Sequence, residues 1–509
     1  MTTSPGSTVR RRVADLLDQA QHRYAGTPAV PLLQAARERI DEPLRVALAG
    51  KVKAGKSTLL NALVGERLAA TDAGECTRVI TWYRDGLTYA VIAHDRGNAP
   101  PRRLPFRRGE RALTIDLEGR DPAEIDRVVV EWPSATLRAM TLIDTPGIGS
   151  LSTDVSDRTH AALTPDDGPG AADAVCYLMR HLHGADARFL EAFRDDVAAQ
   201  AAPMNAIGVL ARADEVGAGR LAALESAARI ARRYRNDPQV RRLCQTVVPV
   251  AGLLAETGAT LREDEFRALG ALVAVDRATL QRLLLSVDRF AADDAPTDLD
   301  AGARRALLAR LGVFGIRLSL ALIRSGQTTT AAALAHELVV RSGVAALRET
   351  LITQFAARAD LLKARSGLAV LSAVLDRHPQ PGSEQLAAAT EEITTSTHAF
   401  AEARLLNALR AGTVVLDDDA AAEAERLLGG FGDDPASRLG LGEDDDPATP
   451  VADELVREAA GAALTRWRRR AEHPLAARAS VEAAALVARS CEGILADLSR
   501  PHDRVRSRH

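Results

Sequence analysis

The residues with the clearest chemistry lie in one short loop between an apolar run and a segment that favours a helix. Gly50-Lys51-Val52-Lys53-Ala54-Gly55-Lys56-Ser57 fits the phosphate-binding pattern G-x-x-x-x-G-K-[ST]. Its glycines let successive backbone amides face an anion, and the next helix adds its positive N-terminal dipole. Lys56 would reach the β- and γ-phosphates of a nucleotide, and the Ser57 hydroxyl would be a ligand of Mg²⁺. Ala54 and Thr58 complete the contacts predicted for this loop.

Lysine is concentrated in the same loop. Of the 65 basic residues, only Lys51, Lys53, Lys56 and Lys363 are lysines. A planar guanidinium cannot replace a compact ammonium group inside a tight phosphate cradle. This pattern predicts a function for Lys53 as well as Lys56. For Lys51, an ordinary exposed charge is the alternative interpretation.

A second candidate follows the apolar run of residues 137–143, which ends in Asp144-Thr145-Pro146-Gly147. An aspartate at the carboxyl end of a strand, followed by a turn and a glycine, is typical of enzymes with a phosphate-binding loop. Asp144 would hold Mg²⁺ through water. The Gly147 amide would contact the γ-phosphate.

A third candidate would recognise the base. Another apolar run ends in Ala211-Arg212-Ala213-Asp214, where guanine-specific enzymes carry [NT]-K-x-D. The Asp214 carboxylate could accept hydrogen bonds from N1 and the exocyclic amine of guanine, and the Arg212 stem could cover the base. Ala251 and Gly252 would bring a backbone amide to the guanine O6. The alternative is an ordinary surface aspartate after a strand.

Alternating strand-like and helix-like segments must position these loops. Over residues 43–292 they predict an α/β P-loop domain with a mostly parallel sheet, helices on both faces, and the ligand at the strand carboxyl ends. Helical patterns over 1–42 and 293–509 predict an elongated bundle, with an acidic loop near 431–448. Within it, a seam of apolar residues recurs from Val344 to Leu375. We expect the helix over residues 13–24 to pack against residues 481–498.

Composition excludes several classes of protein. The net charge of −3 over 509 residues predicts no general affinity for nucleic acid. The four cysteines form no CxxC pair, which favours a reducing compartment. No uninterrupted apolar run of membrane-spanning length occurs, and the first residues do not have the pattern of a signal peptide. Two arginine clusters, at 95–111 and 466–470, are interpreted as solvated surfaces. A lipid-binding site is the alternative for both clusters, and a nucleic-acid site is a further alternative for the first.

A GTPase-type domain with a helix before it and a long helical region after it resembles the dynamin superfamily. LAGKVKAGKSTLLNALVGE is similar to the phosphate loop of the bacterial dynamin-like proteins, and GECTRVITWYR to their first switch region. FAARADLLKARSGLAVL resembles the helical part of the mycobacterial isoniazid-inducible dynamin-like pair, in particular its shorter member.

The resemblance implies further site residues. Thr77 stands where the family has the threonine that contacts Mg²⁺ and the γ-phosphate, with Thr71 and Thr81 as nearby alternatives. Ile148 occupies the place of the water-orienting glutamine of small GTPases. Lys53 stands where guanylate-binding proteins carry an arginine finger, whereas other dynamins have a serine there that helps to hold a monovalent cation. Either Lys53 or such a cation would therefore complete the site.

The resemblance also implies a function. The chain would bind GTP and GDP with Mg²⁺, hydrolyse GTP, and couple association to membrane remodelling or maintenance. Association would be a homodimer through GTPase domains or a heteromer with a second dynamin-like protein. A cytoplasmic location is expected, with or without peripheral contact to the inner face of the cell membrane. The alternative is a cytosolic nucleotide-gated scaffold, or a partner of another dynamin-like GTPase, without direct membrane binding.

Overall fold

The computed structural model describes residues 5–69, 79–97, 99–109, 113–145, 171–180, 186–187, 190, 205–441 and 451–499. The strands in this part of the chain are β1 (Leu44–Gly50), β2 (Ile80–Arg84), β3 (Ala90–Asp95), β4 (Arg102–Arg103), β5 (Phe106–Arg108), β6 (Leu113–Ile115), β7 (Ile125–Glu131), β8 (Met140–Asp144), β9 (Ala174–Met179), β10 (Ala206–Ala211) and β11 (Val247–Val250).

The α-helices of the described residues are numbered in the same way. Those up to residue 300 are α1 (Pro5–Arg23), α2 (Val30–Asp41), α3 (Lys56–Val64), α4 (Ala135–Ala139), α5 (Ala223–Asn236), α6 (Pro238–Leu243), α7 (Gly252–Ala259), α8 (Glu263–Val273), α9 (Arg277–Leu283) and α10 (Val287–Ala291). The later ones are α11 (Ala301–Arg324), α12 (Ala331–Arg341), α13 (Val344–Gln354), α14 (Ala359–Arg377), α15 (Glu384–Ser396), α16 (His398–Ala411), α17 (Asp418–Leu427), α18 (Pro435–Leu439), α19 (Asp453–Ala471) and α20 (Arg478–Ser499).

Nine of the described strands build one sheet in the order β11-β10-β9-β1-β8-β2-β7-β3-β4, and β5 and β6 pair with each other. β1 runs parallel to its neighbours β8 and β9, and β9, β10 and β11 continue in parallel. β2 pairs antiparallel with β8, and β3 pairs antiparallel with β7. β9 and β10 are buried at every position, because both faces of this part of the sheet are covered. The predicted fold class, a mostly parallel α/β domain joined to a helical region, is confirmed.

Helix α11 is a core helix of the α/β part of the molecule. It packs against α7, α8 and α10, and α12 packs against α7. Arg317, in its most apolar stretch, donates hydrogen bonds to Gly219 O at 2.7 Å and Leu284 O at 2.6 Å. Within the described residues, α11 is also the one helix that is long and apolar enough to cross a membrane by length and composition alone, with a mean hydropathy of 1.9. Its packing partners account for that apolar character.

One buried arginine ties the acidic linker between α10 and α11 to the start of α11. Arg304 is 1% exposed. Its Nε donates to Phe290 O at 2.8 Å, and one Nη donates to the Thr297 hydroxyl at 3.0 Å. The guanidinium also donates to Ala292 O and Leu299 O. A rigid fork of donors thereby joins four acceptors. Two of them, Ala292 O and Leu299 O, also accept hydrogen bonds from the Ala295 amide and the Thr297 hydroxyl of the linker.

Arg304→Met is expected to lower the free energy of unfolding by about 3–5 kcal/mol, because it keeps the apolar stem and removes all the hydrogen bonds of the buried guanidinium. Urea denaturation measures the change. Arg305→Met is the matched control, since the Arg305 side chain is 57% exposed and a change of about 0.5 kcal/mol or less is expected. Equal losses in the two variants would show that the Arg304 contacts do not stabilise the fold.

The N-terminal helix packs against α14, α2 and α15. Gly367 of α14 lies at the closest crossing, where an added Cβ would be 3.0 Å from Val13 and 3.2 Å from Ile40. The prediction that α1 packs against residues 481–498 is therefore wrong about the partner, because α20 packs mainly against α19. Several helices carry equivalent apolar stripes, so the pattern of one stripe cannot identify which other stripe covers it.

The helical region is attached at the amino ends of the sheet strands. Asp173, just before β9, accepts hydrogen bonds from Arg39 Nε at 2.9 Å, the Arg45 amide at 2.9 Å and the Ser366 hydroxyl at 3.1 Å. The buried Lys363 donates to Ile40 O at 2.9 Å. These contacts join α2, β1 and α14 away from the carboxyl ends of the strands, where the phosphate loop lies.

The predicted apolar seam serves two interfaces. From Val344 to Leu371 its residues are buried except for the partly buried Ala359, but the helix is interrupted by the 3-10 turn Ala356–Arg358. Before the turn, α13 packs against β11 and α3; after it, α14 packs against α1 and α2. The boundary placed after residue 292 stays a prediction, and α11, α12 and α13 pack on the α/β side of it.

Candidate nucleotide-binding site

The phosphate loop joins the central strand β1 to the amino end of α3. Gly50 has φ 145°, and a Cβ at this position would lie 2.5 Å from Leu178 O. Gly55 has φ 100°. Both positions therefore require glycine, and the resulting turn directs the loop towards the positive end of a helix.

Lys56 is held inside this loop. Its side chain is buried, and Nζ donates to Gly50 O at 3.1 Å and Lys51 O at 3.3 Å. Burial lowers the pKa of Lys56, and the nearby Asp144 carboxylate opposes that shift. The ammonium group therefore lies at the centre of the loop, where a phosphate oxygen would meet it.

Ser57 and Asp144 meet beside the loop. Asp144 ends β8 and is in register with Leu48 of β1. Asp144 Oδ2 accepts a hydrogen bond from Ser57 Oγ at 2.9 Å, while Oδ1 is buried and has no hydrogen-bond partner among the described residues. Burial raises the pKa of Asp144 above its ordinary value. The Ser57 hydroxyl and the Asp144 carboxylate are hard oxygen ligands, and Asp144 Oδ1 is unpartnered. These groups fit Mg²⁺.

Lys51 has a buried partner, contrary to its interpretation as an ordinary exposed charge. Its Nζ lies 3.3 Å from Asp186 Oδ2, and the Tyr177 hydroxyl donates to Asp186 Oδ1 at 2.6 Å. Asp186 is far from the loop in sequence and carries no motif, so sequence patterns could not identify it. The pair fixes the outer side of the phosphate loop to the region after β9.

The base pocket lies between the carboxyl ends of β10 and β11 and the start of α3. Its cavity of about 140 Å³ is lined by residues of the phosphate loop and by Arg212, Asp214, Gly252 and Leu253. Asp214 is 8% exposed, and its Oδ1 has no hydrogen-bond partner among the described residues. Burial raises the pKa of Asp214. A buried carboxylate that lines a cavity and has an unpartnered oxygen fits a ligand edge rich in N–H donors, such as that of guanine.

Arg212 connects the base pocket to the phosphate loop. It has φ 55°, in the left-handed region. One Nη donates to Lys53 O at 2.8 Å and the other to Glu215 Oε1 at 2.6 Å. The stem lines the pocket as predicted for a group that covers the base, and the guanidinium also restrains the loop.

Of the two residues predicted to bring a backbone amide to guanine O6, Ala251 does not fit that role. The Ala251 amide donates to Ser342 O at 2.8 Å in the turn between α12 and α13, so it is committed to that turn. Gly252 is the first residue of α7, where a helix has no internal partner for its amide. Gly252 also lies next to Thr58 of α3, and the structure therefore favours its amide over that of Ala251.

Four residues of the predicted switch regions, Thr71, Thr77, Gly147 and Ile148, lie outside the described residues. Thr81 is a buried residue of β2 whose hydroxyl donates to Val79 O at 3.3 Å. The position of Thr81 within a buried strand accounts for this threonine without a role in the nucleotide site. Thr145, next to Asp144, was not predicted to matter, and its hydroxyl donates to Leu48 O at 2.8 Å.

Comparison with known proteins agrees with this geometry. A sequence model of the dynamin family matches residues 46–190, which include the phosphate loop and Asp144. The isoniazid-induced protein IniC of Mycobacterium tuberculosis is 43% identical over 495 residues, which cover 96% of this chain and 98% of that protein. The chain belongs to the dynamin family. The predicted resemblance to the shorter member of the mycobacterial pair is confirmed. A dynamin GTPase domain implies GTP binding.

Other relatives match smaller parts of this dynamin-family chain. The isoniazid-induced protein IniA of Mycobacterium tuberculosis is 34% identical over 165 residues, or 28% of this chain and 24% of that protein. A bacterial dynamin-like protein of Nostoc punctiforme is 33% identical over 135 residues, or 23% of this chain and 20% of that protein. A solved structure of an oligomerised bacterial dynamin pair that senses and tethers membranes aligns over 97% of this chain and 74% of that chain, with a TM-score of 0.30 and 13% identity.

Proposed function

We propose that this dynamin-family chain binds GTP with Mg²⁺ and hydrolyses GTP to GDP and phosphate. The observation that carries the proposal is a pair of buried carboxylates, Asp144 and Asp214, each with one oxygen that lacks a partner in the described part of the chain. An unsatisfied buried acceptor costs roughly 1–3 kcal/mol, and more when it is charged. A guanine edge at Asp214 and a hydrated Mg²⁺ at Asp144 would remove both costs.

Different groups of the loop would bind the phosphates and the metal ion. Phosphate oxygens would take the place of Gly50 O and Lys51 O as partners of Lys56 Nζ, and the loop amides would hold the remaining phosphate charge. Ser57 and Asp144 would hold Mg²⁺, which when bound neutralises charge on the β- and γ-phosphates. Thr77 and Gly147 keep the roles predicted for them.

Lys53 is proposed to supply positive charge at the β–γ bridging oxygen. It is exposed and has φ 62°, a conformation that costs a residue other than glycine roughly 1–2 kcal/mol. Its carbonyl is held by Arg212. Strain retained in a restrained loop supports a functional side chain, and a charge already in place needs no reorganisation during the reaction. A monovalent cation in the same place is the competing proposal.

Phosphate release from GTP tests both proposals. We expect Lys53→Ala to lower turnover at saturating GTP by roughly 10- to 10³-fold, since an arginine finger is worth about 10³–10⁵ and lysine lacks the bidentate fork. The affinity for GTP should change by about threefold or less, because uniform binding is retained. The assay is run with Mg²⁺ or excess chelator, in sodium or potassium.

Val52→Ala is the matched control, because Val52 is the exposed neighbour and carries no charge. Unchanged turnover in Lys53→Ala would exclude the lysine, and loss of turnover of the unaltered protein in sodium alone would favour the monovalent cation. If the unaltered protein binds GTP but releases no phosphate with Mg²⁺, alone or with a second dynamin-like protein, hydrolysis itself is refuted.

We further infer that hydrolysis is coupled to association at the cytoplasmic face of a membrane. The partner would be a second copy or another dynamin-like protein, and the similarity to both IniC and IniA supports the latter. In this proposal residues 1–42 and 293–509 transmit motion from the GTPase domain of residues 43–292. The cytosolic scaffold differs in having no direct lipid contact.

A further inference from the structure

The edge of the sheet farthest from the base pocket carries an unusual excess of positive charge. β4 is the edge strand, at the opposite end of the strand order from β11. Residues 96–109 include five arginines and no acidic residue. Those on β4 and on the next strand, β5, are all exposed and are called the arginine strip: Arg102, Arg103, Arg107 and Arg108.

The register of the strands places Arg102 and Arg103 along β3, while Arg107 and Arg108 lie on β5, which pairs with β6. Arg103 lies opposite Ile92 and Arg102 opposite Ala93, and the amide of Leu104 donates to Val91 O at 2.8 Å. The chain therefore runs antiparallel to β3 and towards the turn that precedes it. β4 therefore leads towards the β2–β3 turn along this edge of the sheet, and Arg108 of β5 approaches the same turn through Trp132.

An apolar tip stands at the end of the strip. Leu87 is 101% exposed and Tyr89 is 56% exposed, both in the β2–β3 turn. The rings of Tyr89 and Trp132 are 4.3 Å apart, and the Arg108 guanidinium lies 5.4 Å from the centre of the Trp132 ring. These contacts hold the exposed tyrosine directly beside the arginines.

Three acidic residues of the neighbouring elements, in the part of the chain that the structure describes, are already paired. Asp95 lies 2.8 Å from Arg120, Glu66 lies 2.9 Å from Arg108, and Glu131 pairs with Arg84. Arg102, Arg103 and Arg107 have no carboxylate partner among the described residues. Their charge is therefore available to an external anion.

The second arginine cluster of the sequence shows the opposite arrangement. Arg466 pairs with Glu423, Arg468 with Glu492 and Arg470 with Asp417, at distances of 2.5–2.6 Å. Trp467, between them, is buried. This cluster is a solvated helix face, as predicted. Three of its four arginines have a carboxylate partner, so it provides a control for the strip.

We propose that the arginine strip and the Leu87–Tyr89 tip form a surface that docks on an anionic lipid bilayer. Arginines on an edge strand also protect it against pairing with other chains, but that role does not require a fully exposed leucine and a half-exposed tyrosine beside them. Guanidinium groups would contact lipid phosphates, while the leucine enters the interface and the tyrosine lies at headgroup level. Nucleic acid offers the same phosphates and no place for an aliphatic tip.

This inference rests on the membrane part of the proposed function and not on the nucleotide site. The unaltered protein is expected to co-sediment with vesicles of phosphatidylglycerol and phosphatidylcholine, and not with vesicles of phosphatidylcholine alone. Arg102→Ser, Arg103→Ser and Arg107→Ser together should weaken binding about 100-fold, at roughly fivefold for each charge near an anionic surface. Leu87→Ser should weaken binding on its own and leave the salt dependence unchanged.

The matched control is the triple variant Arg466→Ser, Arg468→Ser and Arg470→Ser, which removes the same charge from the other cluster. It should bind vesicles like the unaltered protein. The proposal is overturned if both triple variants lose binding equally, if the strip variant binds normally, if the unaltered protein fails to bind, or if a DNA duplex alone shows the dependence on the strip. Binding of a fluorescent guanine nucleotide should be unchanged in every variant, which separates failure here from failure of the GTP site.

Discussion

Lys56→Ala is expected to lower the affinity for GTP and turnover together, by roughly 10²–10⁴-fold. Lys56 Nζ is the buried ammonium group of the loop, and its two acceptors are loop carbonyls that phosphate oxygens would replace. Two charge-assisted hydrogen bonds at about 1.5–3 kcal/mol each account for this loss. Titration with a fluorescent GTP analogue and a phosphate-release assay at several GTP concentrations measure the two effects.

Lys51→Ala is the control for Lys56→Ala, because it removes the same charge from the same loop. The Lys51 side chain is 47% exposed and pairs with Asp186. We expect the affinity of Lys51→Ala for GTP to fall about tenfold or less, since Lys51 binds no phosphate and affects the loop only through its ion pair with the buried Asp186. Equal losses in the two variants would mean that total loop charge, and not the position of Lys56, determines binding.

Asp214→Asn is expected to remove most of the preference for GTP over ATP, which we place at roughly 10²–10⁴-fold in the unaltered protein. The carboxylate can accept two hydrogen bonds from guanine, whereas an amide presents one acceptor and one donor. Competition of GTP and ATP for a fluorescent nucleotide measures the ratio. Equal affinity of the unaltered protein for both nucleotides would refute the assignment of Asp214.

The same variant is expected to stabilise the ligand-free protein. Burial raises the pKa of Asp214 in the folded state, so its contribution to stability falls as pH rises above the ordinary aspartate value of about 4. At neutral pH this penalty is present in the unaltered protein, and asparagine removes it. Asp214→Asn should therefore have the higher Tm without nucleotide at pH 7, and the difference should shrink towards pH 4.

Glu215→Gln is the matched control for Asp214→Asn, as the neighbouring change from carboxylate to amide. The Glu215 side chain is 50% exposed and pairs with Arg212 and Arg180. Glu215→Gln should not substantially alter the nucleotide preference or the pH dependence of the Tm. A comparable loss of preference in Glu215→Gln would assign selectivity to the position of Arg212 and not to Asp214.

The sequence by itself determined the parts of the site whose geometry is local. Gly50, Gly55, Lys56 and Ser57 lie within one strand-loop-helix unit, and the two glycines have positive φ. Asp144 ends one buried strand and Asp214 follows another, each parallel to a neighbouring strand, and carboxyl ends of such strands meet at one edge of a sheet. Continuous apolar runs were sufficient to predict these strands because both faces of the sheet are covered.

Only the tertiary structure decided which distant groups meet. Asp186 holds Lys51, and Ser342 O takes the amide of Ala251, across separations that no local pattern reports. α1 packs on α14 although other helices carry similar apolar stripes, because stripe chemistry is shared and shape at crossings such as Gly367 decides the fit. Likewise, two arginine clusters look alike in sequence, but folding brings carboxylates to the one at Arg466 and leaves the one at Arg102 facing solvent.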